Sequence, residues 1–194
     1  ILKASNKLEY GARTIRPKLL RLVDTYLENI PINPVNKTID FPSSYEDYTI
    51  QDFLDLIKPD SSVKMTEYFK GGYHEASKRL DNFIEHTLPN YGDNDPSKAR
   101  VSTLSPYLHF GQISPVEIYL RIEAYKDKYP VQVEAYLEQL LVRRELAFNY
   151  VTFQAGYDQF EAMTDKWAYE TMRIHEDDPR EYLYSIEDYL AYKT

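Results

Sequence analysis

A mostly α-helical fold is what this sequence of 194 residues predicts, and three observations predict it. From Ser62 onward, apolar residues recur at spacings of three and four, the period that lines one face of a helix. Prolines fall where helices start, in Ser105-Pro106, Ser114-Pro115 and at Pro130. Period-two alternation, which a half-buried strand requires, has no comparable support in that half. With 43% hydrophobic and 14% aromatic residues, including 19 tyrosines, the chain can fill a core.

Each element follows in order. Leu8, Ala12, Ile15, Leu19, Leu22, Val23, Tyr26 and Leu27 predict a helix over 7–29, kinked or restarted at Pro17, which has no N–H for the ladder. From Pro31 to Pro59 the period fades and prolines recur at 31, 34, 42 and 59. This stretch reads as a connection between domains with one short helix near Ile50–Ile57. Its Phe41, Tyr45, Tyr48, Phe53 and Leu54 suggest that it packs on the protein surface. Met65, Phe69, Ala76, Leu80, Phe83 and Ile84 then mark one helix or two, with Gly71-Gly72 as a break. A polar loop over 88–99 holds Tyr91 and Asn94-Asp95-Pro96. Helices are expected near 106–110, 115–128, 131–153, 159–175 and 185–192.

Composition bounds the chemistry. The chain has no cysteine, hence no disulfide, thiolate metal site or cysteine nucleophile. His74, His86, His109 and His175 lack metal-ligand spacing, so no metal is expected. Glu176-Asp177-Asp178 reads as a solvated helix end, and Trp167 is expected in the core rather than as an electron carrier. The first residues do not read as a signal peptide, and no apolar run approaches the roughly 18 residues of a membrane span. A soluble, cytoplasmic protein is the expectation. A net charge of −8, from 31 acidic and 23 basic residues, argues against a surface that grips nucleic acid all over. A local basic patch remains open.

Two segments carry candidate chemistry. In Ser102-Thr103-Leu104-Ser105-Pro106-Tyr107-Leu108-His109-Phe110-Gly111-Gln112-Ile113-Ser114-Pro115, Ser105 can N-cap a helix with Pro106 at N1. Ser114 can do the same with Pro115 at N1 and Glu117 at N3, a capping box. Helix N-termini expose unpaired N–H groups, so Ser102, Thr103 and Ser105 beside one could hold a phosphate. Two ordinary capped helices account for the same spacing. The second segment is the helix from Pro130, with an apolar seam of Val133, Leu137, Leu140, Leu141, Phe148 and Val151. Arg144 lies on that seam, where a guanidinium must meet an anion or carbonyl groups. Glu138, Arg143 and Glu145 flank it. An internal Arg–Glu network and a cleft for an anionic ligand are both compatible with this pattern.

Beyond spacing, the wording of these segments resembles one family. Ser-x-Leu-Ser-Pro-Tyr-Leu-His-Phe-Gly-Gln-Ile-Ser is similar to the flavin-phosphate segment of DNA photolyases, in the form used by class II cyclobutane pyrimidine dimer enzymes. Glu9-Tyr10-Gly11-Ala12-Arg13-Thr14-Ile15-Arg16-Pro17-Lys18 resembles a second class II signature. The run from Tyr136 to Tyr150 resembles the family's Phe-Leu-Glu-Glu-Leu…Val-Arg-Arg-Glu-Leu-Ala helix. Gly71-Gly72, Asn94–Pro96, Thr164–Tyr169 and Arg180–Tyr184 match in the same order.

The resemblance implies an internal excerpt of a class II photolyase. Residues 1–30 would end an N-terminal α/β antenna domain, 31–61 would link it, and 62–194 would begin the helical FAD-binding domain. The family's next words after Thr194 would be His-Asp-Pro and Trp-Asn-Ala-Ala-Gln. By position, Glu138 resembles the active-site acid that hydrogen-bonds the dimer, and Gln139 stands where the family has a second glutamate, so the register of the acid is open by one place. Tyr91, Ser102, Thr103, Leu104, Ser105, Arg144 and Glu145 would hold FAD, while Glu138, Gln139 and Val142 would meet DNA. The implied reaction is light-driven repair of pyrimidine dimers in DNA by a monomeric, non-membrane enzyme. A second, antenna chromophore would sit in a preceding domain. A cryptochrome-like flavin photoreceptor and a non-enzymatic acidic helical interaction module are the alternatives. Dimer cleavage separates the first from repair, and flavin absorbance the second.

Overall fold

The structure, a computed structural model, describes residues 2–28, 48–60, 62, 64, 66–92 and 96–193. Every regular element among the described residues is helical, as the apolar period predicts. The chain divides into two compact units, residues 16–144 and residues 1–15 with 145–194.

In the unit of residues 16–144, α4 (Tyr73–Asn82) starts at Gly72, whose φ of 108° suits a residue without a Cβ. It runs on as a wider π turn over Phe83–Thr87 and a 3-10 turn over Leu88–Asn90. Helices α5 (Ser105–His109), α6 (Pro115–Glu123) and α7 (Pro130–Leu137) follow, and α7 packs on α6 and on the turn Leu88–Asn90. Ala76, Leu80 and Ile84, then Ile118 and Ile122, then Val133, Tyr136 and Leu140 recur at helical spacing and close one core with Phe83, Leu88, Leu104, Tyr107 and Ile113. Each full burial of such an aliphatic side chain stabilises by about 1.5–3 kcal/mol. The predicted helix over 115–128 ends at Glu123 and gives way to turns, in which Tyr129 N–H donates to the Tyr125 carbonyl at 2.9 Å.

Helix starts follow two patterns. Ser114 caps α6, its hydroxyl accepting from Val116 N–H at 3.2 Å. The predicted box does not close, because Glu117 instead accepts from the Tyr73 hydroxyl at 3.0 Å and from Arg121 at 3.3 Å. Ser105 is not a cap but the first residue of α5. The cap position falls on Leu104, with no side-chain bond, since Leu104 is fully buried and core packing fixes where the chain turns. Thr103 before it has φ 56°, the left-handed region.

The short helix expected near Ile50–Ile57 is α3 (Ile50–Ile57), held by a capping box between Thr49 and Asp52. None of its residues is buried. Tyr48 and Phe53 pack on each other at 5.6 Å and are 48% and 39% exposed. Phe41, Tyr45, Met65 and Asn94-Asp95 lie outside the described residues.

The helix expected over 7–29 is shorter and broken: α1 is Ala12–Leu20 and α2 is Val23–Tyr26. Pro17 sits inside α1 without ending it.

In the unit of residues 1–15 with 145–194, side chains take the place of helical hydrogen bonds ahead of α1. Glu9 N–H donates to Asn149 Oδ1 at 2.7 Å, Asn149 Nδ2 donates to the Lys7 carbonyl at 2.9 Å, and the Ser5 hydroxyl donates to Glu9 Oε1 at 2.5 Å. Ser5, Glu9 and Asn149 are all buried, and these bonds satisfy the polar groups of the non-helical backbone that they reach. Asn149 belongs to α8 (Arg144–Phe153), where Phe148 and Val151, expected on the apolar seam, are half exposed. The predicted helix over 159–175 is a 3-10 turn, Phe160–Ala162, and then α9 (Lys166–Ile174). Trp167 on α9 is 66% exposed, which corrects its expected core position. The chain closes with α10 (Ile186–Leu190), capped by Ser185.

Candidate functional site: a cleft beside the π turn of the long helix

Between α7 and α8, Glu138–Arg143 forms a π turn. Its i→i+5 bonding widens the helix, and such turns often mark functional positions. The bond that closes it runs from Arg144 N–H to the Gln139 carbonyl. Residues five apart are thereby brought onto one side, where an ideal α-helix, with 3.6 residues per turn, would splay them. Gln139 and Arg144 are such a pair, and both line one open cleft. Glu138 and Arg143 are the next pair round the helix, and both carry charge toward Arg16 or one another.

The cleft has a volume of about 470 Å3 and lies within the 16–144 unit. Tyr91, Val101, Ser102, Thr103, Ser105, Leu108, Tyr136, Gln139, Leu140 and Arg144 line it. Its described lining holds one cation, three hydroxyl-bearing aliphatic side chains, an amide and two phenols, and no carboxylate. That donor set suits an anion with an attached planar group.

Its aromatic wall is built by the core. Tyr136 stacks against Phe83 at 4.8 Å and meets Tyr91 edge-on at 5.4 Å, while Phe83 and Tyr91 lie at 5.7 Å. Burial pushes the Tyr136 phenol up to about 12, opposed by a side-chain hydrogen bond with Ser102. Burial raises the Tyr91 phenol as well. Both stay protonated near neutral pH and can donate.

The hydroxyl segment is held from behind by Arg79 of α4. Its guanidinium donates to the Tyr107 hydroxyl at 2.9 Å, to Thr103 Oγ1 at 3.2 Å and to the Tyr68 carbonyl at 2.9 Å. It also lies 4.6 Å from the centre of the Phe69 ring, within cation–π range. The Tyr107 hydroxyl in turn donates to the Lys70 carbonyl at 2.8 Å. Thr103 spends its own proton on the Ser102 carbonyl at 2.7 Å.

The predicted site residues therefore divide. Tyr91, Ser102, Thr103, Ser105, Gln139 and Arg144 come together in the cleft. Leu104 and Val142 are buried side chains, at 0% and 2% exposure. Glu145 lies in the first turn of α8, in the other unit. Glu138 is not on the described lining; Arg16 Nε and Nη2 donate to its two oxygens at 2.9 and 2.7 Å, and Arg143 Nε lies 3.8 Å away. The Arg16 hydrogen bond holds its carboxyl below the usual range. Sequence reasoning gave no role to Tyr136, Arg79 or Arg16. Helical spacing places Tyr136 three residues from Gln139, the one signal that could have found it; the other two act through long-range contacts. No group of metal-binding side chains occurs among the described residues, and none of their helices is long and apolar enough to cross a membrane.

Fold and cleft together define a helical module with one open cleft lined by Arg144, hydroxyls, an amide and two phenols. No family model matches the chain. Deoxyribodipyrimidine photo-lyase of Potorous tridactylus is 35% identical over 98% of the chain and 36% of that protein. The Arabidopsis thaliana enzyme of that name is 35% identical over 95% of the chain and 39% of its own length, and that of Methanothermobacter thermautotrophicus 33% over 95% and 40%. Cryptochrome-2 of Arabidopsis thaliana matches only 28% of the chain, at 43% identity. The chain is thus homologous, over nearly all of its length, to part of the deoxyribodipyrimidine photo-lyases, and it spans 36–40% of the three relatives compared.

Proposed function

We propose that the protein containing this chain repairs cyclobutane pyrimidine dimers in DNA in the light, and that the cleft holds part of FAD. The observation that carries this reading is the convergence of Tyr91, Ser102, Ser105, Gln139 and Arg144 on one cleft, in a chain aligned along 98% of its length with a photo-lyase. When bound, reduced FAD supplies the electron that opens the cyclobutane ring and receives it back, so the net reaction is a bond rearrangement. The chain's own residues bind and orient. Ser102 and Ser105 offer hydroxyls to a phosphate, Arg144 offers a cation, and the Tyr91 and Tyr136 rings give a planar group an apolar wall. Leu104 and Val142, whose side chains are buried, serve by packing rather than by contact with a ligand. The residue of this helix that meets the flipped-out dimer is drawn from Glu138 and Gln139.

In this reading residues 1–30 close an antenna domain, 31–61 link it, and 62–194 begin the FAD domain. A second chromophore would belong to sequence outside this chain, and the enzyme acts as a monomer in the cytoplasm. The test uses the full-length protein. It should purify with flavin absorbance and split dimers under blue light. Replacing Ser102, Thr103 and Ser105 together by Ala should lower flavin retention, as should Arg144→Leu. Full flavin occupancy in both variants removes the cleft as the cofactor site. Flavin without dimer cleavage favours a cryptochrome-like photoreceptor.

A further inference from the structure

One guanidinium behind the cleft ties three pieces of chain together. Arg79 donates from Nε to the Tyr107 hydroxyl at 2.9 Å, from Nη1 to Thr103 Oγ1 at 3.2 Å and from Nη2 to the Tyr68 carbonyl at 2.9 Å. We propose that Arg79 is a positioning residue of the cleft: by holding Thr103 in its left-handed conformation, it fixes the backbone between Ser102 and Ser105, so that both hydroxyls are arranged for a phosphate-bearing ligand before that ligand arrives. The proposal rests on the flavin-binding part of the reading above.

The state of Thr103 is the first support. Its φ of 56° lies where a β-branched residue is strained, so the conformation needs a restraint from outside. Its hydroxyl donates to the Ser102 carbonyl at 2.7 Å and accepts from Arg79. Thr103 therefore lines the cleft with its proton already engaged, and sets the bend between the two serines. The second support is that the other partners of Arg79 are themselves anchored. Tyr107 is buried, and its hydroxyl donates to the Lys70 carbonyl at 2.8 Å. Two residues further on, Gly72 N–H donates to Gln112 Oε1 at 2.8 Å. The segment 68–72 is thus held at Tyr68, Lys70 and Gly72, and Arg79 works from a fixed base, 4.6 Å from the centre of the Phe69 ring. A planar fork of donors meets three oxygens on three segments, which an ammonium group on a flexible stem does not reproduce. A segment ordered in advance loses less conformational freedom on binding, and affinity gains accordingly.

The test uses full-length protein stripped of its flavin and titrated with FAD. Arg79→Met keeps the aliphatic stem and removes the fork. It should bind FAD about tenfold more weakly, the worth of one charge-assisted hydrogen bond. Thr103→Ala should weaken FAD as well, and the Arg79→Met, Thr103→Ala double variant should bind no more weakly than the poorer single one, because both changes act on the same bend. Glycine adopts a positive φ without strain, so Arg79→Met with Thr103→Gly should recover part of the loss. If Arg79→Met folds poorly, Arg79→Lys takes its place in the same series, keeping charge and stem without the fork, and the same pattern is expected. Undiminished FAD affinity in the Arg79 variant overturns the proposal. So do losses that multiply in the double variant with alanine, or a glycine double variant no better than the alanine one, since Arg79 would then act elsewhere than through Thr103. Failure of the flavin reading looks different: the unmodified protein itself would take up no FAD, and the role proposed for Arg79 would fall with it.

Discussion

At the scale of single residues, Glu138 has the most consequential surroundings. The hydrogen bond from Arg16 depresses its carboxyl in the folded state. A depressed folded value means that the stabilisation is complete above the unfolded carboxyl value and fades as pH falls through the folded one. Glu138→Gln should therefore flatten the acid limb of the stability profile, read as urea midpoint against pH in the full-length protein. An acid limb of unchanged slope would show that the pair contributes nothing to it. Arg16 is 41% exposed, so added salt should weaken the effect. Tyr136 makes a second case. Tyr136→Phe keeps the packing with Phe83 and Tyr91 and loses the bond to Ser102, an expected cost of about 1 kcal/mol in denaturant unfolding. A cost above about 3 kcal/mol would point to loss of core packing rather than of one hydrogen bond.

Elements set how those residues are presented. Ser114 is the capping residue of α6, and Ser114→Ala should cost about 1 kcal/mol, with Ser114→Asp restoring most of it. A sharper contact joins the end of α8 to the turn Phe160–Ala162. A Cβ placed on Gly156 would come within 2.4 Å of the Ala162 Cβ, closer than two carbons can stand. Gly156→Ala should destabilise by about 1–3 kcal/mol, the usual cost of overpacking, and Ala162→Gly in the same chain should recover part of the loss. An additive double variant would show that the two positions do not touch. The π turn Glu138–Arg143 shapes the cleft in a comparable way. One wider turn decides that Gln139 joins Arg144, so α7 and α8 need not share a single apolar stripe.

Across the whole molecule, burial is uneven. The 16–144 unit owns the large core, including fully buried Leu80, Leu88, Ile118 and Ile122. In the other unit α9 and α10 bury no side chain, and Trp167, Ile174, Leu183 and Leu190 are well exposed. Amides buried under many apolar contacts open only on global unfolding, whereas thinly covered helices open locally. Hydrogen exchange on this chain should find α4, α6 and α7 the slowest to exchange and α9 and α10 among the fastest. Equal protection in α6 and α9 would contradict that ordering. The net charge of −8 belongs to this scale too: any DNA contact through this chain would be local, at clustered cations, and would weaken steeply with salt.

Helix identity was legible in the sequence because it rests on local periodicity, caps and prolines. Ile50–Ile57 and the start at Pro115 follow from neighbours within four residues. The photolyase likeness was legible for a different reason, since several ordered words are far more specific than any one spacing. Long-range contacts decided the rest. A buried Asn149 keeps Lys7–Glu9 out of the helix that its apolar period predicted, through hydrogen bonds 140 and 142 residues apart in sequence. Leu104, drawn into the core, takes the cap position that Ser105 was expected to fill. Arg16 reaches Glu138 across 122 residues, and the π turn sends Gln139 to the cleft. Local pattern names the elements and the candidate residues. Which of two adjacent side chains faces a ligand depends on a hydrogen-bond shift within one helix turn and on a partner far along the chain, and both are set only when the chain packs.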